Sequence, residues 1–380
     1  MSDNGLLSFI AKNQWLDSKS ASNMRKVIYR DSSILSIINF GSNMVFDEAQ
    51  QQTMIFLLKK DKLNSHHRIN YISFDNIVSK EQISERITKS IYEIDEKCLR
   101  KEIPKEYDEL KNLKFSNELS ELLLEKIDSF ENFKFNEKKE ITQGIIGGKD
   151  EYFLIKNSEI HNYLDTEKDY IKGFHTNTQS YFTPDAEQSI FYLTKHNCLN
   201  IHEFPNIFNK LSPHQDYLQK RREVLKNSIS WFHLWWARDT SFFESGDKIV
   251  WAKRTEGKKF TFTHRPFYGS ANLFFIKSNR VNLKYITALL NSKLMYFYMK
   301  ERLKHTGNLL QIDKNQFMKI PLHIPKNCFL DKIQNIIDEI HCQKEENKNT
   351  LNLENQIDEL IYNIYDLSSL EIELIEKKNA

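Results

Sequence analysis

The chain has 380 residues, enough for two or three domains and a sizeable core, and its 40% hydrophobic and 28% charged content excludes a disordered chain. Its four cysteines, Cys98, Cys198, Cys328 and Cys342, are widely spaced and form no CxxC pair, which argues against a zinc site or disulfide framework and for a reducing, cytoplasmic setting. No apolar run reaches the roughly 18–20 residues of a membrane span, and no charged start followed by an apolar run marks a secretory signal, so no membrane partner is expected.

In chain order, residues 5–10 read as a short buried strand and 20–30 as a helix that Ser20 or Ser22 can cap. Ile34–Phe40 and Thr53–Leu58 are two further β-branched runs, and Tyr71–Phe74 offers an edge strand. Strand, helix, strand and strand look like the closing part of an α/β sheet too small to be complete. Residues 79–140 turn charged and helical, with Ile83, Ile87, Ile91 and Ile94 at spacings of three and four. Gly144, Gly147 and Gly148 then punctuate a stretch that is not GxxxxGK[ST], so it reads as a turn feeding a strand at Tyr152–Ile155 rather than a phosphate cradle. Strands follow at Lys248–Ala252 and Leu273–Ile276, and one long helix at about Leu283–Leu303. Pro321 and Pro325 mark a boundary, beyond which two apolar stripes suggest an acidic helical hairpin.

Charge is unevenly distributed. Phe204–Lys319 carries 21 Lys and Arg against 8 Asp and Glu, a net of +13 in a chain of net +2, and holds every tryptophan but Trp15. Cations interleaved with aromatics suit a polyanion, since phosphates are neutralised with counterion release and rings stack on bases; the alternative is a solvated surface around an aromatic core. Arg and Lys contact phosphate or read guanine, and Asn and Gln read adenine. On that chemistry the DNA-binding candidates are Arg221, Arg222, Arg238, Lys253, Arg254, Lys258, Lys259, His264 and Arg265, with Lys304, His305, Asn308 and Gln311 after the long helix. Lys253 and Arg254 are expected on a loop at a sheet edge. Trp231, Trp235 and Trp236 read as core, and Asn291 and Ser292 as caps or braces. His66-His67 lacks further ligands, so no metal site is expected.

Gln143-Gly144, Phe204-Pro205-Asn206, Leu218 with Arg221-Arg222, Trp231 to Arg238, Lys248-Ile249-Val250, Leu290-Asn291-Ser292 and the tail phrase Leu353–Leu367 share an order and spacing. Together they make the chain resemble the C-terminal part of Taq-like adenine-N6 DNA methyltransferases, a group that includes fused type IIG restriction-modification enzymes. The resemblance implies an α+β architecture: a remnant of the Rossmann-like methyltransferase domain (1–62), a helical connector (63–140), a mixed α/β target-recognition domain (141–325) and C-terminal helices (326–380). It implies that Phe46 stacks on the adenine flipped out of the duplex. It implies S-adenosylmethionine as methyl donor of the complete family enzyme and double-stranded DNA as partner.

The departures are as informative. The family's Asn/Asp-Pro-Pro-Tyr/Phe segment is missing: there is no Pro-Pro pair, and Pro266-Phe267 follows Arg265. The Gly-rich donor turn is missing too. No catalytic residue and no cofactor of its own are therefore expected in this chain. Glu-x-Lys pairs, such as Glu137/Lys139 and Glu256/Lys258, are as frequent as chance allows and suggest no nuclease centre. The expected role is sequence-specific DNA binding, with an N-terminal methyltransferase (or methyltransferase-nuclease) fragment as partner. The alternatives are reconstitution of methyltransferase or endonuclease activity with that partner, or an inactive remnant or protein–protein adaptor.

Overall fold

The computed structural model describes residues 1–16, 21–41, 43, 45–46, 51–60, 68–74, 79–92, 98–102, 118–306, 309–326 and 329–379. The chain divides into two compact units, Met1–Leu124 and Glu125–Ala380. The first holds the segment expected as a sheet remnant and most of the expected connector. The second holds the expected recognition domain together with the tail helices. The expected α+β class is borne out.

In the first unit, strands β1 (Leu6–Lys12), β2 (Ser33–Asn39), β3 (Thr53–Lys59), β4 (Arg68–Ser73) and β5 (Cys98–Glu102) form one sheet in the order β1-β3-β2-β4-β5. β3 runs antiparallel to both β1 and β2, so those two are parallel to each other, and β4 is parallel to β2. Helix α1 (Ser22–Asp31) brings Ile28 onto the face made by Ile34, Ile37, Met54 and Phe56. Helix α2 (Lys80–Tyr92) brings Ile83 and Ile87 onto the opposite face, with Phe40, Phe74, Ile38 and Ile55. A sheet covered on both faces needs apolar residues on both sides of its strands, which is why these strands read as near-continuous apolar runs.

Two expectations change here. Tyr71 lies in an interior strand rather than at an edge, because the charged Cys98–Glu102 adds a strand outside it. Ser22 opens α1 instead of capping it; Ala21 occupies the cap position without a side-chain cap, and Ser20 lies outside the described residues. Ile94, expected on the α2 stripe, also lies outside them.

In the second unit, β6 (Ile141–Gln143), β10 (Lys248–Ala252), β12 (Phe260–Thr263) and β14 (Leu273–Ile276) make an antiparallel sheet in the order β12-β10-β14-β6. A second sheet orders β7 (Leu154–Lys156), β8 (Ile171–His175), β9 (Gln188–Phe191) and β13 (Tyr268–Gly269) as β13-β8-β9-β7. A small third sheet places β11 (Arg254–Thr255) and β15 (Lys304–Thr306) on either side of β16 (Leu309–Gln311). Trp251 anchors the centre: its ring stacks on Phe317 at 4.6 Å and its indole N–H donates to the Ile312 carbonyl at 2.8 Å.

Beyond α3 (Glu118–Ser129), the expected long helix is two, α4 (Leu283–Asn291) and α5 (Lys293–Arg302). The break is at Ser292, which leaves helical geometry (ψ 155°) so that its hydroxyl can accept from the Met295 N–H. Apolar periodicity continues across the break, and this conceals it in sequence. The tail also has one helix more than expected: α6 (Leu330–Glu345), α7 (Leu351–Ile364) and α8 (Ser369–Asn379). It docks by ion pairs, Lys284 to Asp338 and Lys293 to Glu376, with Arg265 paired to Glu345. Among the described residues no helix is long and apolar enough to cross a membrane.

Candidate nucleic-acid interface

The third sheet determines which side chains face out. In register, Arg254 lies opposite Gln311, and Gln311 lies opposite Lys304. Residues directly opposite in antiparallel pairs share a face, so these three form one cross-strand row, about 10 Å long at the usual strand spacing. The neighbouring row, Thr255, Leu310 and His305, takes the other face, where Thr255 and Leu310 are buried. Arg254 and Lys304 are therefore exposed. Between them the Gln311 amide is steadied by donating to the Asp313 carboxylate at 3.1 Å. Arg254 thus lies in a strand, where a loop was expected. Its strand ends in a turn closed by the Thr255 hydroxyl donating to the Gly257 carbonyl at 2.8 Å. That turn carries half-exposed Lys258 and Lys259. Among the described residues Lys253, Arg254, Lys258, Lys259 and Lys304 make no ion pair. The row therefore displays cations flanking an amide, an arrangement suited to an anionic polymer with hydrogen-bonding edges.

Other candidates are turned inward. Arg221 is buried and gives four of its five guanidinium N–H groups to main-chain carbonyls: Leu218 at 3.1 Å, Gly147 at 3.1 Å, Trp231 at 2.6 Å and His233 at 2.8 Å. Burial lowers its pKa to about 10. The expectation of a DNA contact at Arg221 gives way to a brace, because the fork is buried and four of its five N–H groups are already spent. Arg238, held at φ 67°, donates to the Gly144 carbonyl and the Gln143 side chain, both at 3.3 Å, and lies over the Trp236 ring. Arg222 and His264 are exposed, and Arg265 spends its guanidinium on Glu345. Asn308 lies outside the described residues.

The family-typical phrases are largely structural locks. A side chain at Gly144 would meet the Ser270 carbonyl at 2.1 Å, so only glycine permits that approach. Asn206 donates its main-chain N–H and side-chain amide to the buried Glu167 carboxylate, which also takes the N–H groups of Ile207 and Leu164. Asn291 accepts from the Phe260 N–H and donates to the Phe260 and Thr287 carbonyls, pinning α4 to β12. The tryptophans divide: Trp251 is core, whereas Trp235 and Trp236, expected inside, are 38% and 50% exposed. Sequence gives no sign of this, since aromatic runs look alike whichever way they face.

In the first unit, Phe46 lies in a bend after the carboxyl end of β2 and is 47% exposed. Ligands of open α/β sheets bind outside such strand ends. The unit's sequence holds no Gly-rich turn of the kind a methyl donor needs. Gly5 and Gly41 are the unit's only glycines, and they stand apart rather than in a Gly-rich turn. Among the described residues no group of three His, Cys, Asp or Glu can hold a metal; His66-His67 lies outside them.

Residues 152–322 match the TaqI-like C-terminal specificity domain. The type II methyltransferase M.HincII of Haemophilus influenzae is 24% identical over 331 residues, 83% of this chain and 62% of that protein. M.BstVI of Geobacillus stearothermophilus is 25% identical over 181 residues, 47% of this chain and 30% of its own length. This chain thus spans less than two thirds of either relative. Among solved structures, the type IIL restriction-modification enzyme MmeI, determined in complex with DNA, aligns with all of this chain and 50% of its own at a TM-score of 0.62 and 12% identity, a likeness of fold. The resemblance to the C-terminal part of Taq-like methyltransferases is borne out, and its core is the TaqI-like C-terminal specificity domain matched at residues 152–322.

Proposed function

We propose that this chain is the target-recognition part of an adenine-N6 DNA methyltransferase or restriction-modification enzyme, binding duplex DNA through the face that carries Arg254, Gln311 and Lys304. The observation that carries it is the outward row itself, two cations flanking an amide. Lys253, Lys258 and Lys259 extend the positive face. Affinity for a duplex should fall steeply with salt, as counterion release requires. Binding insensitive to salt, or absent, would leave the adaptor alternative standing.

The chemistry belongs to a catalytic part whose motifs this sequence lacks, and β1 favours completion of the sheet by such a part. Leu7 and Phe9 lie on the α1 side of β1 and Leu6 and Ile10 on the other, yet all four are exposed, Leu6 by 63% and Phe9 by 58%. Among the described residues β1 pairs only with β3. A strand apolar on both faces belongs inside an α/β sheet, and an open apolar edge recruits another strand. Copurification with a polypeptide carrying the family's Pro-Pro-Tyr/Phe segment, broken by Phe9→Lys, tests this. S-adenosylmethionine should bind the assembly and not the chain alone.

A further inference from the structure

Between β8 and β9 the chain makes a loop that the basic stretch of the sequence does not include. It is bolted to β12 and the turn before it. Buried Tyr181, held at φ 66°, donates its N–H to the Phe260 carbonyl at 2.8 Å, and its carbonyl accepts from the Phe262 N–H at 2.9 Å. The Thr178 hydroxyl donates to the Lys259 carbonyl at 2.7 Å, the Thr261 hydroxyl donates to the Gln179 carbonyl at 2.6 Å, and the Ser180 hydroxyl donates to the Lys258 carbonyl. A non-glycine residue at positive φ costs energy that the surrounding contacts must hold in place, and such strain gathers where a geometry is needed. What this frame displays is polar: exposed Asn177 and Gln179 face Lys258 and Lys259 across an open cleft of about 470 Å³. The Asn177 carbonyl oxygen is engaged by the Thr178 N–H at 2.9 Å, leaving its NH₂ as an outward donor. The Gln179 main-chain N–H donates to the Thr183 hydroxyl at 3.0 Å, whereas its side-chain amide makes no hydrogen bond among the described residues, so both its donor and its acceptor are available.

We infer that this cleft is a second base-reading element: Gln179, assisted by Asn177, reads a base edge of duplex DNA, while Lys258 and Lys259 hold the adjacent phosphate. The inference rests on the DNA-recognition role proposed above and adds residues to it. A side-chain amide matches the paired donor and acceptor edge of adenine, so adenine is the base assigned to Gln179. Rigid backbone behind the reading side chain suits discrimination, because a mismatched base cannot be accommodated by moving the loop. The cleft is continuous with the cationic row, since one turn joins Arg254 to Lys258 and Lys259.

Selection of bound duplexes from a randomised library with the full chain tests this. Wild type should enrich one word, and Gln179→Ala should cut discrimination at one position of it by about 10- to 100-fold, the worth of a bidentate base contact. Gln179→Glu, which keeps the length but replaces the donor by an acceptor, should move that position from adenine toward cytosine. A shift of preference cannot come from misfolding. Lys258→Ala and Lys259→Ala should weaken all sequences alike and each reduce the salt slope by about 1. If both Gln179 variants and Asn177→Ala keep the wild-type word and its discrimination, the cleft is no reader and the inference falls alone. If wild type binds no duplex at all, the inference falls together with the DNA-recognition role.

Discussion

Replacing Arg254 and Lys304 together by Ala removes both ends of the outward row. Five cations on and beside that row make no ion pair among the described residues: Lys253, Arg254, Lys258, Lys259 and Lys304. If each meets one phosphate, log affinity should fall with log salt at a slope of about −4.5, or about 500-fold between roughly 50 and 200 mM. The double variant keeps three contacts, so its slope should be about −2.7 and the same salt step should cost it about 40-fold. At about 100 mM salt the two lost contacts correspond to roughly 60-fold weaker binding, about 2.5 kcal/mol. Fluorescence anisotropy of a labelled duplex, titrated at four or more salt concentrations, reads both quantities. The two side chains are exposed, so the thermal midpoint should stay where it is. A slope unchanged by the double substitution would refute the row as the phosphate-binding face, even if overall affinity fell.

Arg221→Ala should destabilise the fold by about 3–5 kcal/mol in chemical denaturation, since it strands several buried carbonyls, whereas its exposed neighbour Arg222→Ala should change stability by less than about 0.5 kcal/mol. Glu140 is held ionised down to about pH 2, first by the Arg280 guanidinium and then by the Ser278 hydroxyl and the Asn136 N–H. Its folded pKa lies below the unfolded one, so its stabilisation is present above the ordinary carboxylate range and lost as pH falls toward 2; Glu140→Gln should flatten that part of the stability–pH curve. Phe46→Ala should lower methylation only when a catalytic part is present and leave duplex binding by the chain alone unchanged, because the ring is half exposed rather than core.

Much of the frame was legible. Lys248–Ala252 and Leu273–Ile276 are strands at their expected bounds, since four- and five-residue apolar runs between turn signals have few other uses. Ser292 was legible only as a residue type. That it ends one helix and starts another depends on a hydroxyl geometry that periodicity does not encode. β5 was hidden because Cys-Leu-Arg-Lys-Glu has no strand pattern, and it pairs by its backbone with β4. At the candidate interface, residue type does not reveal which way a side chain faces. Arg221 and Arg222 are adjacent in sequence, yet one is a buried brace and the other faces solvent. Gln179 was missed altogether, because charge led the search to the basic stretch, and a neutral amide carries no charge to notice.

The net charge of +13 over Phe204–Lys319 therefore overstates the available field. Some cations are interior: the Lys248 ammonium donates to the Arg265 carbonyl, and burial lowers its pKa to about 8. Others meet the acidic tail, as Lys284 and Lys293 do. Neutralising them internally has a consequence beyond stability. A uniformly cationic surface would hold any polyanion in any register, since phosphate contacts carry no sequence information. Spending part of the positive charge on internal partners leaves less of it free, and some of what remains stands beside Gln311 and Gln179, where a phosphate contact also brings an amide to a base edge. Removing tail carboxylates would enlarge the charge available for binding and dilute its direction, so affinity would rise for every sequence while the preference for one declined.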